Sequence, residues 1–186
     1  MDTIRAINER RSIRSFKSNL IPAESIEKLL EIATKSPSAK NRQPWRFVVL
    51  QGNKKDKLVE IMTNTAKDHR EKGLEIGSLE LSTNSINESS TIILVFNAFS
   101  NTEKDYNRHK LLVDTQSIGA AIENMILGAE DMGLATLWIC DIFYSDKDIC
   151  DWLDKKEELV AAVAIGYGNQ HPHKRPRKDW REITEW

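Results

Sequence analysis

Two clusters carry residue types suited to holding a charged, planar ligand. Arg10-Arg11-Ser12-Ile13-Arg14 sets three guanidinium groups and a hydroxyl within one short run. Arginine presents a planar fork of donors that matches phosphate oxygens, and Ser12 adds a further donor. The same run also reads as the solvated basic end of a helix, where the helix dipole favours cations. Phe16, directly after it, is an apolar anchor. The second cluster is Pro37-Ser38-Ala39-Lys40-Asn41-Arg42-Gln43-Pro44-Trp45. Its prolines and short polar residues suit an ordinary turn between a helix and a strand. Asn41 and Gln43 add amides that carry both donor and acceptor, which can read the carbonyl and N–H edge of a flat heterocycle.

Other chemistries find little support. The chain has neither a G-x-x-x-x-G-K-[ST] loop nor a G-x-G-x-x-G turn, so the usual nucleotide cradles are missing from the sequence. Cys140 and Cys150 are too few for a disulfide framework. His69, His109, His171 and His173 stand outside any metal-binding frame, and no metal site is expected. No serine–histidine–aspartate set or carboxylate pair stands out as a catalytic group. Net charge is −1 but unevenly spread. Residues 1–46 hold ten Lys/Arg against five Asp/Glu, residues 169–186 five against three, and the middle twelve against twenty. Two basic ends around an acidic middle imply that the ends meet at an anion. A nucleic-acid binder is more often basic overall, so a small phosphate-bearing ligand is the expectation.

The surrounding pattern supplies elements to position these clusters. A length of 186 residues, with 40% hydrophobic and 30% charged, suits a single domain of ordinary globular composition. No run approaches the roughly 18 apolar residues of a spanning helix, and the N-terminus lacks a signal-peptide pattern, so a cytoplasmic protein is expected. Residues 2–10 read as a short helix with Ile4 and Ile7 on its apolar side. Pro22 opens a second helix at its first position, with a stripe of Ile26, Leu29, Leu30 and Ala33. Residues 45–50 read as a strand, 54–80 as a charged helical cover, 84–90 as a polar turn, and 91–96 as a central, doubly buried strand. Residues 101–110 form a polar excursion. The longest helix is expected over 114–132, capped by Asp114 and stopped by Gly133. Gly119 and Ala120 keep one of its faces small enough for close approach of another helix. Strands follow at 134–139 and 159–165. The tail from Asn169 carries Trp180 and Trp186 but cannot form a core of its own, so it must lie on another surface.

The two clusters, in this order, resemble the nitroreductase family of FMN enzymes. RRSIRSF and SPSAKNRQPWRFVVL carry the likeness, which continues through DTQSIGAAIENMILGAEDMGLATLWI and ends with AIGYGN and HKRPRK. The resemblance implies an α+β fold with a central mixed or antiparallel sheet flanked by helices, made as an intertwined homodimer. Residues 169–186 would form an arm on the partner subunit. By motif, Arg10, Ser12 and Arg14 match phosphate and flavin-edge contacts, and Arg11 matches in type. Pro37, Ser38, Ala39 and Asn41 match the loop that the partner lays against the isoalloxazine ring, with Gln43 in the same motif. Trp138, Ile139 and Cys140 match a stretch whose backbone N–H groups face the flavin. Asp141 and Cys140 depart from the glycine or Glu-Gly common there; Asp141 either places a carboxylate beside the substrate space or turns outward. Cys140 reads as a packed residue. Gly166 reads either as a point of close backbone approach to the cofactor or as a plain turn. Arg175 and Arg177 match a basic pair that closes on the phosphate.

The activity so implied passes electrons from NADH or NADPH to an electron-poor acceptor, such as a nitroaromatic or quinone, in ping-pong order. The flavin rather than a side chain carries the chemistry. Two rivals share the same cofactor: a specialised dehydrogenase or dehalogenase, and a non-catalytic FMN-binding or storage protein. Residues 54–110 would decide the substrate, but their charged pattern does not name one.

Overall fold

The computed structural model describes residues 2–186. Its centre is β2 (Thr91–Asn97), an unbroken apolar run buried along its whole length. Ile92, Ile93, Leu94, Val95 and Phe96 are each fully buried, and each stabilises the fold by about 2 kcal/mol. Burial on both faces requires helices on both sides of the sheet. The four strands run β1 (Trp45–Leu50), β2, β4 (Glu158–Gly166) and β3 (Ala135–Ile139), every neighbouring pair antiparallel. One parallel bridge, Ser12 to Thr136, adds the mixed character.

On one face Leu50, Leu94, Phe96 and Ala162 pack against α3 (Gly52–Glu71), α4 (Leu79–Glu88) and α6 (Asp146–Leu153). On the other, Trp45, Ile93, Val95 and Val163 meet α2 (Ala23–Thr34) and α5 (Arg108–Asp131). Those two helices cross closely at Gly128, where a Cβ would lie 2.9 Å from Ile32 Cδ1. The first helix, α1 (Thr3–Glu9), is capped by the Asp2 side chain and rests on α5.

Several expectations need correction. Ile4 and Ile7 are exposed, and Ala6 is the residue that α1 buries. Pro22 caps α2 rather than entering it. The polar turn expected at 84–90 lies largely within α4. That helix buries Ser82, Thr83 and Ser85 beside Leu79 and Ile86. Thr83 and Ser85 donate back to the carbonyls of Leu79 and Leu81 at 2.8 and 2.9 Å. Hydroxyls satisfied inside their own helix can be buried, so a polar sequence conceals an apolar role. The cap of α5 lies seven residues before the one expected, at Asn107, whose side chain accepts from the Lys110 N–H. α6 and the short 3-10 turn before it, Asp141–Ser145, had no counterpart in the sequence pattern.

Candidate functional site: two polar clusters at opposite corners of the sheet

Residues 10–17 leave α1 in extended form and run past the outer edge of β3. Ile13 N–H donates to Thr136 O at 2.9 Å, then Lys17 N–H to Tyr167 O at 2.8 Å. Asn169 N–H returns to Ser15 O at 2.9 Å, so the root of the tail lies directly on the basic segment. Phe16 anchors this crossing. A Cβ on Gly166 would lie 3.0 Å from Phe16 Cδ1 and 3.3 Å from the Ser90 nitrogen. The missing side chain at Gly166 therefore makes room for Phe16.

The arginines divide by partner. Arg11 Nη1 donates to the carbonyls of Asn8, Glu9 and Arg10 at 2.7–2.8 Å and closes the end of α1. One nitrogen of its guanidinium thus acts as a helix cap. Arg10, Arg14, Arg175 and Arg177 form no ion pair with a carboxylate among the described residues, and Ser12 is exposed. All residues from 171 to 186 are exposed.

The second cluster is bound far more firmly. Lys40, Asn41 and Gln43 all have left-handed backbone, with φ of 52°, 54° and 50°. Each such residue costs about 1–2 kcal/mol, less for asparagine. Between them, Arg42 is right-handed and turns inward. Its Nε and Nη2 donate to Asp114 Oδ1 and Oδ2 at 2.9 and 3.0 Å, and Nη2 reaches Glu103 at 2.6 Å. The guanidinium also lies 4.6 Å over the Phe99 ring. Asp114 is fully buried in α5, so the residue expected as a helix cap is an ion-pair acceptor. The Tyr106 hydroxyl donates to Asp114 at 3.2 Å and accepts from Asn97 at 2.7 Å. Burial pushes the Tyr106 phenol up to about 12, whereas Arg42, then Lys110, hold the Glu103 carboxyl down at about 2. Gln43 N–H donates to Ser38 Oγ at 3.0 Å. Pro37, Ala39, Asn41 and the Gln43 side chain remain exposed.

At β3, Trp138 stands exposed on the edge strand with its ring near Gly119 of α5. Backbone groups alternate sides along a strand, and Thr136 faces Ile13. The N–H of Trp138 therefore points to the same outer edge, where it makes no backbone hydrogen bond to the 10–17 segment. Ile139 is buried. Cys140 is exposed, which corrects its reading as a packed residue; partial burial of the thiol, then Asp141, raises its pKa and disfavours the reactive thiolate. Asp141 accepts a hydrogen bond from Ser78, in the turn between α3 and α4, so its carboxylate is engaged.

The clusters are widely separated within the chain. Residues 37–44 lead into β1 at one edge, at the row Trp45–Asn97–Glu158. Ser12 lies beyond β3 at the other edge, at the row Thr136–Ile165–Thr91. Strand spacing and rise put these corners about 19 Å apart across the sheet and about 20 Å along it.

A four-stranded antiparallel sheet with helices on both faces, a basic strap on one edge and an amide-bearing turn at the other defines a nitroreductase-like α+β fold. The nitroreductase family model matches residues 7–167, and the chain belongs to that family. It is 26% identical over 179 residues to YfhC of Bacillus subtilis strain 168, a protein named for NAD(P)H nitroreductase activity. That match covers 95% of this chain and 89% of the relative. A match of 22% over 179 residues, covering 92% and 91%, is to an iodotyrosine deiodinase of Thermotoga neapolitana. Among solved structures, a nitroreductase-like family protein from Bacillus cereus superposes with a TM-score of 0.82 at 21% identity, covering 100% of this chain and 96% of that one. The FMN-dependent nitroreductase NfnB from Mycobacterium smegmatis, solved with NADPH, gives 0.80 at 19%, covering 100% and 99%. Among the described residues, no helix is long and apolar enough to cross a membrane.

Proposed function

We propose that the chain is an FMN-dependent NAD(P)H oxidoreductase whose site is built across two copies, the reading its family membership and donor set support. The carrying observation is the diagonal separation of the two clusters. A basic strap and a ring-reading turn at opposite corners of one sheet meet on one ligand if each copy contributes one of them. The donor set fits the cofactor. Arg10, Arg14, Arg175 and Arg177 form no carboxylate ion pair among the described residues and suit a phosphate dianion, and Ser12 adds a hydroxyl. The exposed amides of Asn41 and Gln43 suit the polar edge of the ring, and Pro37 to Ala39 its face. The outward N–H of Trp138 offers a backbone donor beside Ile139 and Cys140. The exposed tail from residue 169, with Trp180 and Trp186, is the arm that the second copy would cover.

When bound, FMN supplies the redox chemistry, taking electrons from NADH or NADPH and passing them in ping-pong order to a nitroaromatic, quinone or similar acceptor. The chain's own part is to hold the phosphate, orient the ring and place positive charge near it. The visible absorption spectrum of purified protein, with identification of the flavin released by heat, tests this first. About one FMN per chain, with NAD(P)H oxidation in the presence of a quinone or nitroaromatic, is expected. A colourless protein that takes up no added FMN would overturn the reading. The similarity to an iodotyrosine deiodinase favours a second reading, reductive dehalogenation. Iodide release from an iodinated phenol without quinone or nitro turnover would select it.

A further inference from the structure

We infer that Arg42 and Asp114 are positioning residues, an ion pair that holds the 40–43 turn in the one shape that presents Asn41 to the flavin ring. The inference rests on the FMN reading above and adds residues that touch no ligand. Three left-handed, non-glycine residues in a stretch of four will not hold that shape in isolation. Such backbone persists only where its surroundings over-determine it, and strain held this way is typical of recognition sites. Here the surroundings are visible. Arg42 is the inward-turned residue of the turn, and both its donor edges are used, on Asp114 and Glu103. Both Asp114 oxygens are taken, by Arg42 and by the Tyr106 hydroxyl. The anchor is rigid because Asp114 is fully buried within α5.

The other side of the turn is unsatisfied. The side-chain amides of Asn41 and Gln43 have no hydrogen-bond partner among the described residues and are exposed. A turn serving stability alone has no need to combine strained backbone, a buried clamp and outward-facing amides. A pre-shaped contact surface needs all three. Lysine cannot replace Arg42, because a point charge cannot fork onto two carboxylates in a fixed plane.

The test uses full-length protein and two readouts. The first is trypsin cleavage after Lys40 in flavin-free protein, which requires the turn to open. The second is the pair of dissociation constants for FMN and riboflavin, which share the ring but differ in the phosphate. Arg42→Ala is expected to speed cleavage after Lys40 by about tenfold or more and to weaken both flavins by the same factor, about tenfold. Arg42→Lys is expected to restore neither. Asn41→Ala, with the clamp intact, is expected to leave Lys40 protected while weakening both flavins, and it keeps the test open should Arg42→Ala not fold. Lys40 equally protected in Arg42→Ala and wild type overturns the clamp. Unchanged riboflavin affinity in Asn41→Ala overturns its presentation to the ring. Wild-type protein that binds neither flavin overturns the FMN reading and the ring contact with it, while the trypsin comparison still decides whether the pair holds the turn.

Discussion

Arg42 and Arg10 stand at opposite corners of the same sheet, and their surroundings differ in kind. Arg42 is surrounded by carboxylates and an aromatic ring, one carboxylate wholly buried. Arg10 has no carboxylate ion pair, and the nearby Arg14 makes only a 3.5 Å contact to the Ser12 carbonyl. One arginine is bound inside the fold, and the other, on the function proposed, is kept for a ligand. Residue type and local charge do not separate these roles; the presence of a buried counter-ion does. A strap of free cations costs folding through self-repulsion and recovers that cost on binding an anion. A clamped turn contributes to folding whether or not a ligand is present.

The contrast breaks first at Asp114. Asp114→Ala strands the guanidinium beside a buried gap and is expected to destabilise the fold by about 3 kcal/mol. In a chain of this size that lowers Tm by roughly 6–12 °C. A melt unchanged within a degree or two would mean that the clamp is not structural. The opposite corner should respond the other way. Replacing Arg10 and Arg177 together with Ala is expected to weaken FMN binding by at least about tenfold, each lost charge-assisted bond being worth roughly 1.5–3 kcal/mol. The apo-protein Tm should not move, and unchanged FMN affinity would remove these residues from the phosphate site.

Acid sharpens the comparison. The Glu103 carboxyl titrates at about 2 in the folded protein against an ordinary 4.5. Its lowered value means that its stabilisation is complete above about pH 4.5 and is lost as pH falls toward 2. Glu103→Gln should flatten the acid limb of a plot of Tm against pH in that window. An identical limb in the variant would assign the loss to other carboxylates. The smallest effect is expected at Arg11, whose Nη1 closes the end of α1. Arg11→Ala should cost about 0.5–1 kcal/mol through the lost helix cap and leave FMN affinity alone. A tenfold weaker FMN constant would return Arg11 to the strap.

The sequence made much of the scaffold legible. β1 matches its expected bounds because two prolines and a tryptophan mark its start, and β2 does so to within one residue because no polar residue interrupts its apolar run. The family likeness located both clusters. What stayed hidden depends on partners distant along the chain. Asp114, ahead of an apolar stripe, has the look of a helix cap; Arg42, 72 positions away, makes it an ion-pair acceptor. α4 escaped because its hydroxyls bond to its own carbonyls, which no hydropathy pattern registers. Ile4 and Ile7 share a helix face, but periodicity cannot say whether that face finds a core within one chain.

The corner-to-corner layout also has a genetic reading. If each site takes its strap from one copy and its turn from the other, two separately damaged chains can rescue one another. Mixed dimers of a strap-defective Arg10→Ala chain and a turn-defective Asn41→Ala chain would each hold one doubly damaged site and one intact site. With random pairing, about a quarter of all sites would regain native affinity, although neither parent has any.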